Sequence, residues 1–256
     1  MNSLPALHLI LLIINFTHSA KLPSNLKKCI YGDPNLGNCL ARAVENEASL
    51  LTQPIKSIGL PNLEPLDIHS FSIGSGTGPV QVQENFENAV MYGLKDIQMQ
   101  DATFNLEDMS MNYTGFLPKL KILGNYRLNG RVLLLPIVGR GNCTIILTNL
   151  TAVVHFPLEK IQKKGEIYIR ITASKELKIP NLGRLYMHLE NLFDGNKELG
   201  DTLNTVLNEN WNSIWDDVRS GWEIFFAETV ARIYNRFFAK VPLREMVDNL
   251  DPKFLA

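Results

Sequence analysis

Two hydrophobic periodicities divide the chain. From about Leu66 to Leu192 apolar residues recur at every second position: Leu120 and Ile122 alternate with Lys119 and Lys121, and Ile167, Ile169 and Ile171 alternate with Glu166, Tyr168, Arg170 and Thr172. A period of two puts one face of a strand in a core and the other in water. The Gly- and Asn-bearing segments Gly74-Ser75-Gly76-Thr77-Gly78, Gly124-Asn125, Asn129-Gly130, Gly139-Arg140-Gly141 and Lys164-Gly165 read as turns between such strands. Alternation with short connections predicts an antiparallel meander, and the absence of intervening helical patterns rules out a parallel doubly wound sheet. Val132-Leu133-Leu134-Leu135-Pro136-Ile137-Val138 breaks the alternation and is expected to be covered on both faces.

Beyond the meander the period changes to 3.6. Leu199, Leu203, Val206, Leu207, Trp211, Ile214, Trp215, Val218, Trp222, Phe225, Phe226, Val230, Ile233, Phe237 and Val241 fall at spacings of three and four. This predicts one helix of more than forty residues, on the order of 60 Å long, with Gly221 as a bend and Pro242 as its end. All three Trp lie on it, with six of the twelve Phe on or near it. Bulky aromatics do not suit a coiled-coil seam, so the only cover available for this helix is the meander. A shorter helix is expected earlier, with Asp33 as N-cap and Pro34 at its first position. It carries Leu36, Cys39, Leu40, Ala43, Glu47, Leu50 and Leu51 at helical spacing, and Gln53-Pro54 ends it.

Composition adds little to the fold but excludes some functions. The 256 residues are 45% hydrophobic and 20% charged, with 25 basic against 26 acidic side chains. That balance is ordinary for a globular protein and carries no nucleic-acid footprint. The N-terminus is more telling: a mainly apolar run from Leu4 to Phe16 is followed by the small-residue stretch Thr17-His18-Ser19-Ala20. The run is short of the ~20 apolar residues of a membrane span, so residues 1–20 read as a secretory signal peptide rather than an anchor, although the run is preceded by no Lys or Arg. A buried N-terminal helix is the alternative. Residues 21–256 then form one domain, expected to be secreted and without stable membrane insertion.

Export makes two further features meaningful. Asn112-Tyr113-Thr114, Asn142-Cys143-Thr144 and Asn149-Leu150-Thr151 are N-glycosylation sequons. Asn112 alternates with Met111 and Tyr113. Asn149 lies on the parity opposite to Ile146, Leu150, Val154 and Phe156, and Asn142 follows a glycine turn, so all three are expected at the surface. Cys29 and Cys39 suit a disulfide that would add about 3 kcal/mol in the chain-entropy model. A two-Cys metal pair is the rival, but no His cluster lies nearby. Cys143 is left over as a buried thiol or an intermolecular bridge.

The sequence carries no recognisable catalytic constellation. The chain has no His-Glu-x-x-His, no Gly-x-Ser-x-Gly elbow and no phosphate-binding loop. His155 and His188 fall on polar parities, and Asp216-Asp217 point about 100° apart on a helix, which is a wet face and not an acid dyad. No enzyme, metal site or cofactor is expected.

Several blocks, in order, resemble the insect takeout/juvenile-hormone-binding family. They are Cys29…Cys39; Leu60-Pro61-x-Leu63-x-Pro65-Leu66; Gly78-Pro79-Val80; Tyr92-Gly93-Leu94; Pro118-Lys119-Leu120; and Gly124-x-Tyr126-x-Leu128-x-Gly130. They continue through Leu133-Leu134-Leu135-Pro136-Ile137-x-Gly139-x-Gly141, the stretch His188 to Gly200, and Asn208-Glu209-Asn210-Trp211. The single early Cys pair resembles the takeout branch, whereas the moth hormone-binding branch usually carries a second bridge. The resemblance implies an α+β, TULIP-like fold: a long curved antiparallel sheet wrapped around one long C-terminal helix, with a short N-terminal helix and an enclosed apolar tunnel. It implies a monomeric, secreted carrier of a small elongated lipophile, in haemolymph or a sensory or tissue fluid. A ligand-regulated signalling protein acting through a protein receptor is the alternative. Tunnel-wall candidates are Tyr126, Leu133, Leu135, Ile137, Trp211, Trp215, Trp222, Phe225 and Phe226, with Tyr126, Tyr168 and Tyr234 as candidate polar groups.

Overall fold

The computed structural model describes residues 20–24, 26, 28–73, 80–132 and 135–254, with backbone alone at 49–50, 80–83, 132 and 135. Apart from Ala20, the expected signal peptide lies outside these residues, as do Leu133 and the Gly74–Gly78 turn.

An eight-stranded antiparallel sheet is built around one very long hairpin, β5 (Ser110–Val132) and β6 (Leu135–Lys163). β3 (Val80–Tyr92) and β4 (Gln98–Asn105) follow one another along the free edge of β5, and β2 (Leu66–Ile73) pairs β3. Along the other side of β6 lie β9 (Arg184–Leu189), β8 (Glu176–Asn181) and β7 (Glu166–Ile171), end to end. Two-residue strands β1 (Cys29–Ile30) and β10 (Val247–Asp248) pair in parallel and tie the two ends of the domain together.

Strands of 23 and 29 residues far exceed the usual 3–10 and would run some 75–95 Å if straight. They are kinked in register. Pro118 lacks an N–H, and Asn149, which stands opposite it, takes φ +50°. On one side of this point the pairs Leu120–Leu147 and Ile122–Ile145 face inward; on the other Leu117–Leu150 and Tyr113–Val154 do. The facing parity therefore flips without any slip of register. Ile146 consequently does not share a face with Leu150, Val154 and Phe156, contrary to the uniform alternation expected there.

Among the described residues, most of the glycines expected to turn the chain lie instead inside strands. β5 runs straight through Gly124-Asn125 and Asn129-Gly130, and β6 through Gly139-Arg140-Gly141. Their role is close approach: a Cβ on Gly139 would stand 2.6 Å from the Tyr126 hydroxyl, and one on Gly141 2.6 Å from the Glu190 carbonyl oxygen. Lys164-Gly165 does turn the chain, both residues having positive φ between Lys163 and Glu166, as a type I′ hairpin requires. At the described end of the apolar run Ile137 is buried while Val138 is 49% exposed, so that end is covered on one face only.

The concave face holds the C-terminal helices. The single helix of more than forty residues is two: α2 (Lys197–Glu209) and α3 (Trp211–Phe238), interrupted at Asn210, with α3 unbroken through Gly221. At Asn210 both the backbone N–H and the side-chain amide donate to the Val206 carbonyl, and the residue leaves helical backbone angles with φ −104°. α3 lies against β2, β3, β7, β8 and β9, and a short turn, α4 (Leu243–Met246), leads into β10. α1 (Leu36–Leu50) packs on β4 and is joined to β1 by the Cys29–Cys39 disulfide. It starts two residues later than expected because the Asp33 carboxylate accepts the Asn35 N–H and caps a preceding turn.

β7, β8 and β9 each pair with β6 on one side, and helix side chains occupy the other. The Asn208 amide accepts from the Met187 N–H and donates to the Met187 carbonyl, and Asn204 does the same at Leu189. Asn235 repeats the exchange at Ile171, and a Glu223 carboxylate oxygen accepts the Ile179 N–H at 2.9 Å. Each amide imitates a peptide group of a missing strand. Replacing Asn208 by Ala strands one N–H and one C=O of β9, and we expect urea denaturation to show a loss of about 2–4 kcal/mol, with Asn208→Asp losing less because only the donor half is removed.

Candidate ligand cavity

Between α1, the β4–β5 pair and the C-terminal half of α3 lies a cavity of about 220 Å³. This is roughly fifteen times the space one water needs. Val44 and Ala48 of α1, Met99 of β4, Met111 of β5, and Ile233 and Phe237 of α3 give the character of its wall. Polar side chains are few: Glu47, Thr103, Asn112, Tyr113 and Tyr234.

The two tyrosines form the main polar feature. Tyr113 faces inward from β5 and Tyr234 from α3, and their hydroxyls hydrogen-bond to each other. Burial pushes both phenols up, Tyr234 to about 12, so the pair is neutral at any physiological pH. Each hydroxyl keeps a further lone pair or proton for an oxygen-bearing guest. Of these two, only Tyr234 was among the candidate polar groups; Tyr113 sits in a sequon and reads there as an ordinary strand residue.

The tunnel-wall candidates gather in the other half of the concave face. Trp222, Phe225 and Phe226 pack with Phe71 of β2 and Phe86 of β3; Phe71 stacks on Phe225 at 4.1 Å and on Phe86 at 4.5 Å between ring centroids. Trp215 and Ile137 are buried nearer the α2 end, and Trp211 is half-buried. Tyr126 is buried over Gly139, its hydroxyl donating to the Glu190 carbonyl at 2.7 Å. Leu135 is in β6, and Leu133 lies outside the described residues. None of the described wall-candidate side chains lines the cavity beneath α1; of the candidate polar groups Tyr234 does, and Tyr168, over whose ring Lys163 sits, does not. Among the described residues no group of three His, Cys, Asp or Glu gathers as a metal site. Asn142 and Asn149 are exposed; Asn112 is half-buried and donates to the Thr103 hydroxyl.

One ionisable group stands among the aromatics. Glu84 of β3 pairs across the sheet with Ile73 and Leu128, both buried on the concave face, and so points inward. Burial raises its carboxyl to about 7. The nearby Cys143 is a free buried thiol, pushed up to about 12 by burial and by Glu84.

The sequence model of the haemolymph juvenile hormone binding protein (JHBP) family matches residues 7–248. The chain belongs to that family. This JHBP-family chain is 27% identical over 238 residues to the circadian clock-controlled protein daywake of Drosophila melanogaster, covering 90% of each chain. It is 26% identical to the Drosophila yakuba counterpart, covering 89% of this chain and 88% of that one. Its fold is that of Takeout 1 from Epiphyas postvittana, with a TM-score of 0.72 at 24% identity, covering 86% of this chain and 99% of the other. The JHBP family comprises binding proteins, which accords with the apolar cavity found here.

Glu84 makes the stability of this JHBP-family chain depend on pH. Its folded-state carboxyl titrates near 7 and its unfolded one near 4.5, so the folded state favours the protonated form. Stability should therefore fall as pH rises from 4.5 to 7 and level off above, a slope that thermal melts should find reduced in Glu84→Gln.

Proposed function

We propose that this JHBP-family protein is a secreted carrier that reversibly holds a small elongated lipophile in its interior. The observation that carries this reading is the apolar cavity beneath α1, covered on one side by a disulfide-tethered helix and furnished with a hydroxyl pair. A guest with ten buried methylenes gains about 8 kcal/mol gross at ~0.8 kcal/mol each, and a preformed cavity limits what ordering takes back. The Tyr113–Tyr234 pair supports a cargo with one oxygen function, such as a prenyl ester, epoxide or acyl chain. Secretion follows from the apolar N-terminal run and the Thr17-His18-Ser19-Ala20 cleavage region, and the exposed Asn142 and Asn149 are the better-placed glycan acceptors.

Filling the cavity should abolish binding without unfolding the protein. For Val44→Trp the Kd for the apolar fluorescent probe N-phenyl-1-naphthylamine should rise at least ~10-fold with little change in Tm, since the new ring occupies space now empty. An unchanged Kd would place cargo elsewhere and sink this reading. Tyr113→Phe and Tyr234→Phe should each weaken a prenyl ester by roughly 1 kcal/mol while leaving the matching hydrocarbon untouched, as calorimetric titration would show.

A further inference from the structure

The C-terminal half of α3 separates two spaces. Val230, Ile233, Tyr234 and Phe237 line the cavity beneath α1. Interleaved with them, Arg232, Asn235 and Arg236 face the other way, into an open groove of about 700 Å³ against the turn that joins β7 to β8. That volume is in the range of ligand clefts. Small side chains, among them Ala173, Ala231 and Ala239, leave the groove its room. Three cations stand in its lining, Lys175, Arg232 and Arg236, and among the described residues Glu228 is the one carboxylate there.

These polar groups are unequally engaged. Glu228 holds Lys175 at 2.8 Å. Asn235 is spent on both peptide groups of Ile171, so the edge of β7 has nothing left to offer, and the Thr172 hydroxyl is shared with Ser174. The two arginines are exposed. Arg232 makes one contact of 3.3 Å to the Thr229 hydroxyl, and among the described residues the Arg236 guanidinium has no hydrogen-bond or ion-pair partner. A cation in the last turn of a helix complements its dipole, which accounts for Arg236 but not for Arg232, seven residues before the Ala239 cap. Like charges four residues apart destabilise a helix, and no carboxylate of the groove answers these two. Two unanswered guanidinium forks beside an open groove are matched to anions brought from outside.

We propose that this groove docks an extended acidic segment of a partner protein, with carboxylates at alternate positions set on Arg232 and Arg236. Four residues of α-helix advance about 6 Å, so the two forks project from one face at that spacing. Alternate side chains of an extended chain share a face at about 6.6–6.8 Å, which matches it. Each fork presents paired N–H donors that fit a carboxylate in plane. One inorganic anion would leave most of the groove empty, and a flat bilayer does not enter a concave surface. The docking site is separate from the cavity and does not rest on the carrier reading, although both use the same turns of α3.

The test is fluorescence anisotropy of labelled hexapeptides titrated with the full chain. A peptide alternating Glu with Ser should bind at least ~10-fold more tightly than its Gln and Ser counterpart, and its Kd should rise several-fold between about 50 mM and about 500 mM salt. Joint substitution Arg232→Gln and Arg236→Gln should bring the two peptides within about threefold of each other. Glu228→Gln should act in the opposite direction and tighten the acidic peptide about twofold or more, because it removes a repelling charge and releases Lys175. All three side chains are exposed, so an unchanged Tm is expected and separates loss of docking from loss of fold. Equal affinity for the two peptides, or acidic-peptide binding that ignores the double substitution, overturns the proposal. Displacement of the peptide by micromolar inorganic phosphate makes the groove a small-anion site, and retention on phosphatidylserine vesicles without peptide binding makes it a membrane contact; either result overturns the acidic segment as its occupant. N-phenyl-1-naphthylamine binding, measured alongside, judges the carrier reading on its own.

Discussion

An open strand edge inside a protein must find partners for its peptide groups, and this requirement governs how the helices sit. β7, β8 and β9 present their outer edges to α2 and α3, and the helices answer with Asn204, Asn208, Glu223 and Asn235. Dispersion and burial would allow α3 to slide along a greasy concave face, because apolar contact is not directional. Paired amide contacts do not allow it, because displacement by one turn would leave buried N–H and C=O groups unpaired. The same contacts protect edges that would otherwise template pairing with another chain.

With the helix held by one flank of the sheet, the opposite flank determines how much space remains. The β5–β6 hairpin turns its face at Pro118 and Asn149, so that one half of its concave side meets the aromatic part of α3 and the other half meets α1 and the C-terminal part of α3. In the first half rings stack at 4.1–4.5 Å. In the second, aliphatic side chains of α1 and β4 leave a void with one neutral hydroxyl pair. One continuous concave surface thereby acquires two environments. The phenol pair offers hydrogen bonds without charge, while Glu84, on the aromatic half of the concave side, carries a carboxyl that burial raises to about 7.

Much of the architecture was legible from periodicity. The antiparallel meander, the aromatic helix and its need for a cover, and the helix over the early Cys pair all follow from spacing, because burial on one face imposes a repeat that survives in a single sequence. Glycine was misleading for a physical reason. The residue that frees a turn is also the residue that lets a neighbour approach, and Gly139 and Gly141 serve Tyr126, Leu192 and the Glu190 carbonyl while the strand runs on. Asn210 was equally silent, for it falls within an unbroken helical repeat, and its departure from helical backbone angles, with φ −104°, separates α2 from α3.

The sequence alone determined which faces are apolar, where the repeat changes from two to 3.6, and, through its ordered blocks, the family. Tertiary structure alone decided which apolar side chains touch one another and which line a space. Trp222 and Val44 each fit a periodic apolar stripe, but one packs among rings and the other borders a void. A stripe records that water is excluded; whether protein or a guest replaces that water depends on the curvature of the sheet and the position of α1, which are set by contacts between residues far apart in the chain.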